Sequence, residues 1–371
     1  MTGDDTKYKI AFASVRGMGR ELAEKILDIL PSEADFMTMT GRKLADTFNM
    51  RGKIVRQEYR QSLVEMAERE ISFMEANGVR ATYFTDPDFP QRLQSAPDSP
   101  IILYYKGDIG CLGAEKAISI VGTRHATPYG QHFCSTLLEQ AATSFADLVT
   151  ISGLAYGIDV AAHRASIAQD IPTAAVLAHG LNTIYPSQHW NVAKEIVRRG
   201  GVLVSDYNSQ MPVVKGNFLA RNRIVAALSD CTVVVESAEH GGAMSTASIA
   251  ASYNRDVFAL PGRISDPYSA GCNKLIRECA ASLITGIDDL AKLMRWAMIG
   301  SEGPSRQMSL FSDITPQEKT IIDYLRDNPG SHVNTLGSAL EIPMPQLLDM
   351  LIDLEFKGAI LAMPGNKYSL A

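Results

Sequence analysis

The stretch KGNFLARNRIVAALSDCTVVVES, Lys215 to Ser237, gathers a lysine, an aromatic ring, two arginines and an asparagine around one helix start, directly before an apolar strand-like run. Lys215 and Phe218 lie three apart, so both can face the same edge. A cation beside an aromatic ring suits a polynucleotide, because the cation neutralises phosphate while the ring stacks on a base. Core packing is the competing reading for Phe218. Arg221 and Arg223, flanking Asn222, are two apart in a helix and point in different directions. One is expected to reach ligand and the other to pair with an acid such as Asp230 or Glu236.

Other turns carry related chemistry. GTRHAT holds Gly122, Thr123 and Arg124; SGLAYGID holds Ser152, Gly153 and Gly157; GGAMST holds Gly241, Gly242, Ser245 and Thr246. Each ends an apolar run and opens a helical one. Such turns present N–H groups and a positive dipole end to an anion. Tight strand–helix turns also need glycine for packing, so no single turn decides between the two uses. Several on one sheet edge, with Arg and Lys among them, favour a phosphate-bearing ligand, with Gly122 letting the backbone approach it. The first strand is not followed by GxGxxG, which argues against a dinucleotide, and no GxxxxGK[ST] is present, which excludes a P-loop. Neither a GxSxG elbow nor a metal-ligand spacing appears. Asp159, Asp206, Glu236, His163, His179 and His189 lie near strand ends, but nothing in their spacing marks a catalytic set. The expectation is a binding protein rather than an enzyme, with no cofactor or metal.

These residues need a frame. AISIVGTR, DLVTISG, PTAAVLAHG, GGVLVSDY, CTVVVES, DVFALPG and ASLITG are strand-like runs, each followed by a helical segment. Near-continuous apolar strands alternating with helices predict an α/β fold, a Rossmann-like doubly wound parallel sheet covered on both faces. Ligands then sit at the carboxyl ends of the strands. Residues 1–75 read as a small helical domain. In FASVRGMGRELAEKILDIL, Gly17 and Gly19 suggest a helix-hairpin-helix or sterile-alpha-motif-like element, or an ordinary interhelical turn. Residues 76–300 form the Rossmann-like domain, opening with a proline-rich extended connector in which IILYY adds a strand to the sheet. Residues 301–314 form a Gly-, Ser- and Pro-rich linker. Residues 315–371 start with a helix capped by Thr315, Pro316 and Glu318 and end in a hairpin at Pro364–Gly365–Asn366, a winged-helix pattern.

Bulk composition agrees. The 371 residues are 46% hydrophobic and 20% charged, with a net charge of -6. That describes a globular protein with ample core and no membrane span. An acidic total leaves room for a local basic groove, because binding follows the field at the site. The acidic start MTGDDTKYKI is unlike a signal peptide, and five widely spaced cysteines without CxxC fit a reducing cytoplasm.

GTRHAT, SGLAYGIDVAAH, IYPSQH, FLARNRIVAALS, GGAMSTASIAA, VFALPG and GCNKLI follow in this order, and together they resemble the DNA-processing protein family DprA, also called Smf. The resemblance implies a homodimeric protein without established catalytic activity that binds single-stranded DNA and loads the recombinase RecA onto it during natural transformation. It implies a phosphate clamp at Arg124, backbone and base contacts at Lys215 and Phe218, and amides at Gly241 and Gly242. Ser152, Gly153 and Gly157 would shape the pocket, and Asn273 in GCNKLI joins the nucleic-acid-binding set. Two departures stand out. HGGAM, with His240 and Gly242, replaces a hydroxyl-bearing family turn, so contact there would come from backbone. YPSQHW lacks a Lys that some relatives carry between Pro186 and His189.

The helix MPQLLDMLIDLEFKG in the last domain carries Asp349, Asp353 and Glu355 against Lys357, which opposes duplex phosphate. A protein-contact role is expected there. QMSLF in the linker, with Gln307, Leu310 and Phe311, is similar to a sliding-clamp docking peptide, against the plainer reading of an anchor on its own domain. Besides the sliding clamp, single-stranded DNA-binding protein is a further partner to weigh. The alternative function is a nucleotide-processing hydrolase of the lysine-decarboxylase-like superfamily. It is disfavoured because GGAMSTASIAASYNRD has no acid until Asp256.

Overall fold

The computed structural model describes residues 5–299, 315–340, 342–357, 359–363 and 366–370. Five helices open the chain: α1 (Thr6–Ala13), α2 (Arg20–Leu27), α3 (Glu33–Thr38), α4 (Gly41–Phe48) and α5 (Gln57–Asn77). Ser32 and Thr40 cap α3 and α4 by accepting from backbone N–H groups, and α5 ends on Gly78 in the left-handed conformation. Arg60 is fully buried and donates to the carbonyls of Met37, Met39 and Ile54, tying α5 to the segments before it.

The sheet follows. Strand β1 (Arg80–Tyr83), the short helix α6 (Gln91–Gln94) and β2 (Ile102–Gly107) come first. Then β3 (Lys116–Val121), α7 (Pro128–Ser144), β4 (Leu148–Ser152), α8 (Ile158–Ala168), β5 (Thr173–Val176), α9 (Trp190–Arg198), β6 (Val202–Ser205) and α10 (Lys215–Ala227) alternate. The alternation continues through β7 (Cys231–Val234), α11 (Gly242–Ser252), β8 (Asp256–Ala259), α12 (Ala270–Arg277), β9 (Ser282–Leu283) and α13 (Ile287–Met294). The spatial order is β1-β2-β6-β5-β4-β3-β7-β8-β9. All seven expected strands, β3 to β9, are present and parallel to one another, for example Ile118 opposite Thr150 and Ile120 opposite Val233. Strand β2 pairs antiparallel with β6, and β1 with β2, so the proline-rich connector extends the sheet as a hairpin-like edge. Within β3, Ile118 and Ile120 face one core while Ala117 and Val121 face the other. A strand buried on both faces reads as a continuous apolar run.

The chain winds from β3 to β6 on one side and from β7 to β9 on the other. The winding therefore reverses between β3 and β7, and a crevice opens at that point beyond the strand carboxyl ends.

Residues 1–299 form one compact unit, helical N-terminus included, and residues 300–371 another. In the second, α14 (Pro316–Asp327) carries a complete capping box of Thr315 and Glu318, as the sequence predicts. Strand β10 (Ser331–His332), α15 (Val333–Leu340), α16 (Met344–Phe356), β11 (Ile360–Met363) and β12 (Lys367–Leu370) follow. The three strands pair antiparallel in the order β10-β12-β11 over a core of their own that includes Ile321, Leu336, Leu351 and Ile360.

Candidate nucleic-acid interface

A cleft of about 900 Å³ lies at the reversal point. One wall is the β3–α7 loop with Thr123, Arg124 and His125; the other is α10 and the start of α11. The Thr123 amide donates to the Glu236 carbonyl at 2.6 Å, so the loops after β3 and β7 are bound together beneath the cleft. Lys215, the first residue of α10, is exposed and makes no ion pair among the described residues. The Phe218 ring is only half-buried and belongs to no hydrophobic core. It meets the Tyr185 ring edge-on, with centroids 5.6 Å apart, and the Arg124 guanidinium lies 5.6 Å from its centroid. His125 stacks on Tyr268 at 5.8 Å on the opposite wall. Arg124 and Lys215, neither in an ion pair among the described residues, thus line a cleft that also holds two sets of aromatic rings.

Among the described residues, Asp159 is the one acid in the lining, and it is buried. Burial pushes its carboxyl above the usual range, with Arg221 pulling it back.

Of the residues expected from sequence, Gly122, Thr123, Arg124, Gly153, Lys215, Phe218, Arg221, Asn222, Gly241, Gly242 and Thr246 line this cleft. Ser152, Gly157, Ser245 and Asn273 do not. Ser152 is buried and donates to the Ile120 carbonyl at 2.6 Å. Gly157 lies behind the Arg124 loop, where its φ of 78° and a 2.1 Å approach of any Cβ to the Thr123 carbonyl both require glycine. Asn273 exchanges two hydrogen bonds with the Gly262 backbone and so holds a loop.

Arg221 lines the floor, but its side chain does not rise to a ligand. It is buried, and Nη1 donates to the carbonyls of Gly153, at 2.7 Å, and Val176. Arg223 pairs with Asp206 at 2.5 Å and also reaches the Asp98 carbonyl. Both arginines therefore serve the fold, and the acid is Asp206. Asp230 instead holds Arg92 at 2.7 Å, and Glu236 accepts from Thr127 Oγ1 and N at 2.5 and 2.9 Å. Spacing alone showed that the two arginines diverge; it did not show that both turn inward.

Gly122 packs rather than yielding to ligand, since a Cβ there would lie 2.5 Å from Ile158. At Gly153 a Cβ would strike the Arg221 guanidinium. The Gly241 amide is already donated to the Ala238 carbonyl. Gly242, at the first turn of α11, is exposed and a Cβ there would meet open space. Gly242 is the first residue of the helix, so its amide is one of those without an intrahelical acceptor. The sequence reading missed Tyr185, His125 and Tyr268; IYPSQH and GTRHAT contain the first two, so an aromatic tally at strand ends would have found them.

The acids and imidazoles near the strand ends are turned inward. His163 is buried, bonds Thr173 Oγ1 at 2.7 Å, and burial drives its pKa down to about 3. His179 bonds the Gly180 carbonyl and His189 the Leu154 carbonyl. Burial raises Asp206, with Arg223 opposing. Among the described residues no group of His, Cys, Asp and Glu could hold a metal ion, and no helix is long and apolar enough to cross a membrane. Gln307, Leu310 and Phe311 lie outside the described residues, as do Pro364 and Gly365 of the hairpin turn.

Comparison with known proteins adds an independent line. The family model DNA recombination-mediator protein A matches residues 80–295. The chain is 33% identical to Protein Smf of Escherichia coli over 286 residues, covering 75% of this chain and 74% of that protein. It is 33% identical to the DNA processing protein DprA of Bacillus subtilis over 225 residues, 61% of this chain and 75% of that one. The crystal structure of Streptococcus pneumoniae DprA superposes with a TM-score of 0.59 at 25% identity, over 77% of this chain and 97% of that one. The Helicobacter pylori DprA structure, described as showing a single-stranded DNA binding mode, superposes with a TM-score of 0.52 at 30% identity, over 58% and 96%.

Proposed function

This chain belongs to the DNA recombination-mediator protein A family, and from that premise we propose that it binds single-stranded DNA along the strand-end cleft and hands the coated strand to the recombinase RecA. The observation that carries the binding role is the placement of Arg124 and Lys215 beside the rings of Phe218 and Tyr185, in a cleft whose one acid is buried. Cations take the backbone and rings take bases, without regard to sequence. The single-stranded DNA binding described for the Helicobacter pylori relative supports the same ligand. RecA delivery, action in natural transformation, a homodimer and a cytoplasmic setting rest on the family resemblance. The inward-turned acids and histidines support binding over catalysis, and hence over the nucleotide-hydrolase alternative.

The test is binding of labelled single- and double-stranded oligonucleotides to wild type, Arg124→Ala and Lys215→Ala across a salt series. Each substitution is expected to weaken single-strand binding and to flatten the salt slope by about one. Unchanged affinity and slope in both variants would place the site elsewhere.

A further inference from the structure

A second cleft, about 880 Å³, lies on the other side of the Arg124–His125 loop and shares those two residues with the first. The two are separated by a thin ridge. The Ile158 amide at the start of α8 donates to the Thr123 carbonyl at 3.1 Å, which seats the ridge directly on the helix. Arg164, on the outer face of α8, lines this cleft; it is exposed and makes no hydrogen bond or ion pair among the described residues. That sets it apart from Arg198 at the end of α9 and Arg199 just beyond it, which are engaged by Glu195 and Asp170. Tyr156 stands at the mouth with 41% of its surface exposed. Its ring is held edge-on against His189 at 5.1 Å, and its hydroxyl donates to Gln188 at 2.7 Å. The ring is therefore fixed in place with its body open to solvent. Among the described residues, no Asp or Glu lines the cleft.

We propose that this second cleft is a continuation site for the same polynucleotide, with Arg164 taking a backbone phosphate and Tyr156 stacking on a base. The inference rests on the binding role proposed for the first cleft. A strand whose phosphate sits on Arg124 is already on the ridge and passes from one cleft to the next without leaving positive surface. A fixed aromatic ring beside an unpaired cation is the same chemistry that Lys215 and Phe218 supply next door. Hydrogen-bonding side chains at Gln131 and Gln188 suit sugar and base edges.

The test uses the full chain and single strands of about four and about twelve nucleotides, within the range of sites tracked by stacking proteins. Arg164→Ala, Arg164→Lys and Tyr156→Ala are compared with wild type. Loss of the Tyr156 stack or of Arg164 should weaken the longer strand about fivefold or more, with Arg164→Ala flattening its salt slope by about one. The shorter strand should bind as before, and Arg164→Lys should recover most of the longer strand's affinity. Unchanged binding of the longer strand overturns the proposal, as does equal weakening of both lengths, which would put these residues in the first cleft. Lys215→Ala, outside the second cleft, reports on the first independently: if it leaves the shorter strand unaffected, the binding role of the first cleft fails whatever Arg164 does.

Discussion

Two cations on α10 show how position decides what a charge does. Lys215 sits at the exposed first turn, while Arg221, further along the helix, is buried against the carbonyls of Gly153 and Val176. Burial lowers the Arg221 pKa, and the nearby Asp159 opposes that shift, while the hydrogen bonds of the Arg221 guanidinium go to backbone carbonyls. Removing the side chain strands those buried carbonyls, at a cost of about 1–3 kcal/mol. Arg221→Ala is therefore expected to lower the urea midpoint sharply, whereas Lys215→Ala should change stability by no more than about 0.5 kcal/mol while weakening DNA binding. Denaturant titration of both variants separates the two roles. An Arg221→Ala protein with the wild-type midpoint and only a DNA defect would return that arginine to the ligand.

At the scale of elements, the cleft depends on a helix that lies outside it. The loop from β6 to α10 carries Lys215 toward the strand ends, and α5 braces that loop. Glu70 is buried and accepts from the Ser209 amide at 3.0 Å and the Ser209 hydroxyl at 2.5 Å, while Gln210 donates to the Met66 carbonyl at 3.2 Å. Burial raises the Glu70 carboxyl, and the Ser209 hydrogen bonds pull it back. Glu70→Ala would strand those donors, costing about 1–3 kcal/mol, and should speed amide hydrogen exchange across 206–214 with a smaller fall in DNA affinity. Unaltered exchange there would show that the loop holds itself. This dependence was not visible in sequence, where α5 and the loop are far apart. The parallel strands were visible, because burial on both faces writes each as a short apolar run such as CTVVVES. The edge was partly so: IILYY read as a strand, but the short β1, Arg80–Tyr83, merged into a connector whose prolines dominate the pattern. In the site, Arg124, Lys215 and Phe218 were legible because strand-end position is legible. The inward turn of Arg221 and Arg223 was not, since it is set by carbonyls and acids on other strands.

At the scale of the whole molecule, an acidic chain carries the cations proposed to take phosphate in its first unit. Residues 315–371 contain four Lys or Arg and seven Asp or Glu, a net charge of -3 within a total of -6. On α16, Asp349, Asp353 and Glu355 are exposed, and Lys357 is held by Glu318 at 2.7 Å. A winged-helix reading of this unit would set α16 against duplex phosphate, where its carboxylates are repelled. Its exposed apolar residues Met344, Leu348 and Ile352, four apart along the same helix, instead suit contact with a protein. The unit has its own core, so a chain ending at residue 299 keeps every core residue of the first unit. That shortened chain is expected to bind single-stranded DNA within about twofold of the full protein and with the same salt slope, because the cations proposed to take phosphate, Arg124 and Lys215, belong to the first unit. Neither protein should bind duplex tightly. The two chains measured side by side on single and double strands across a salt series decide the matter. A large loss of single-strand affinity on shortening, or salt-sensitive duplex binding that disappears with residues 315–371, would move part of the nucleic-acid site into the acidic unit and defeat the charge argument.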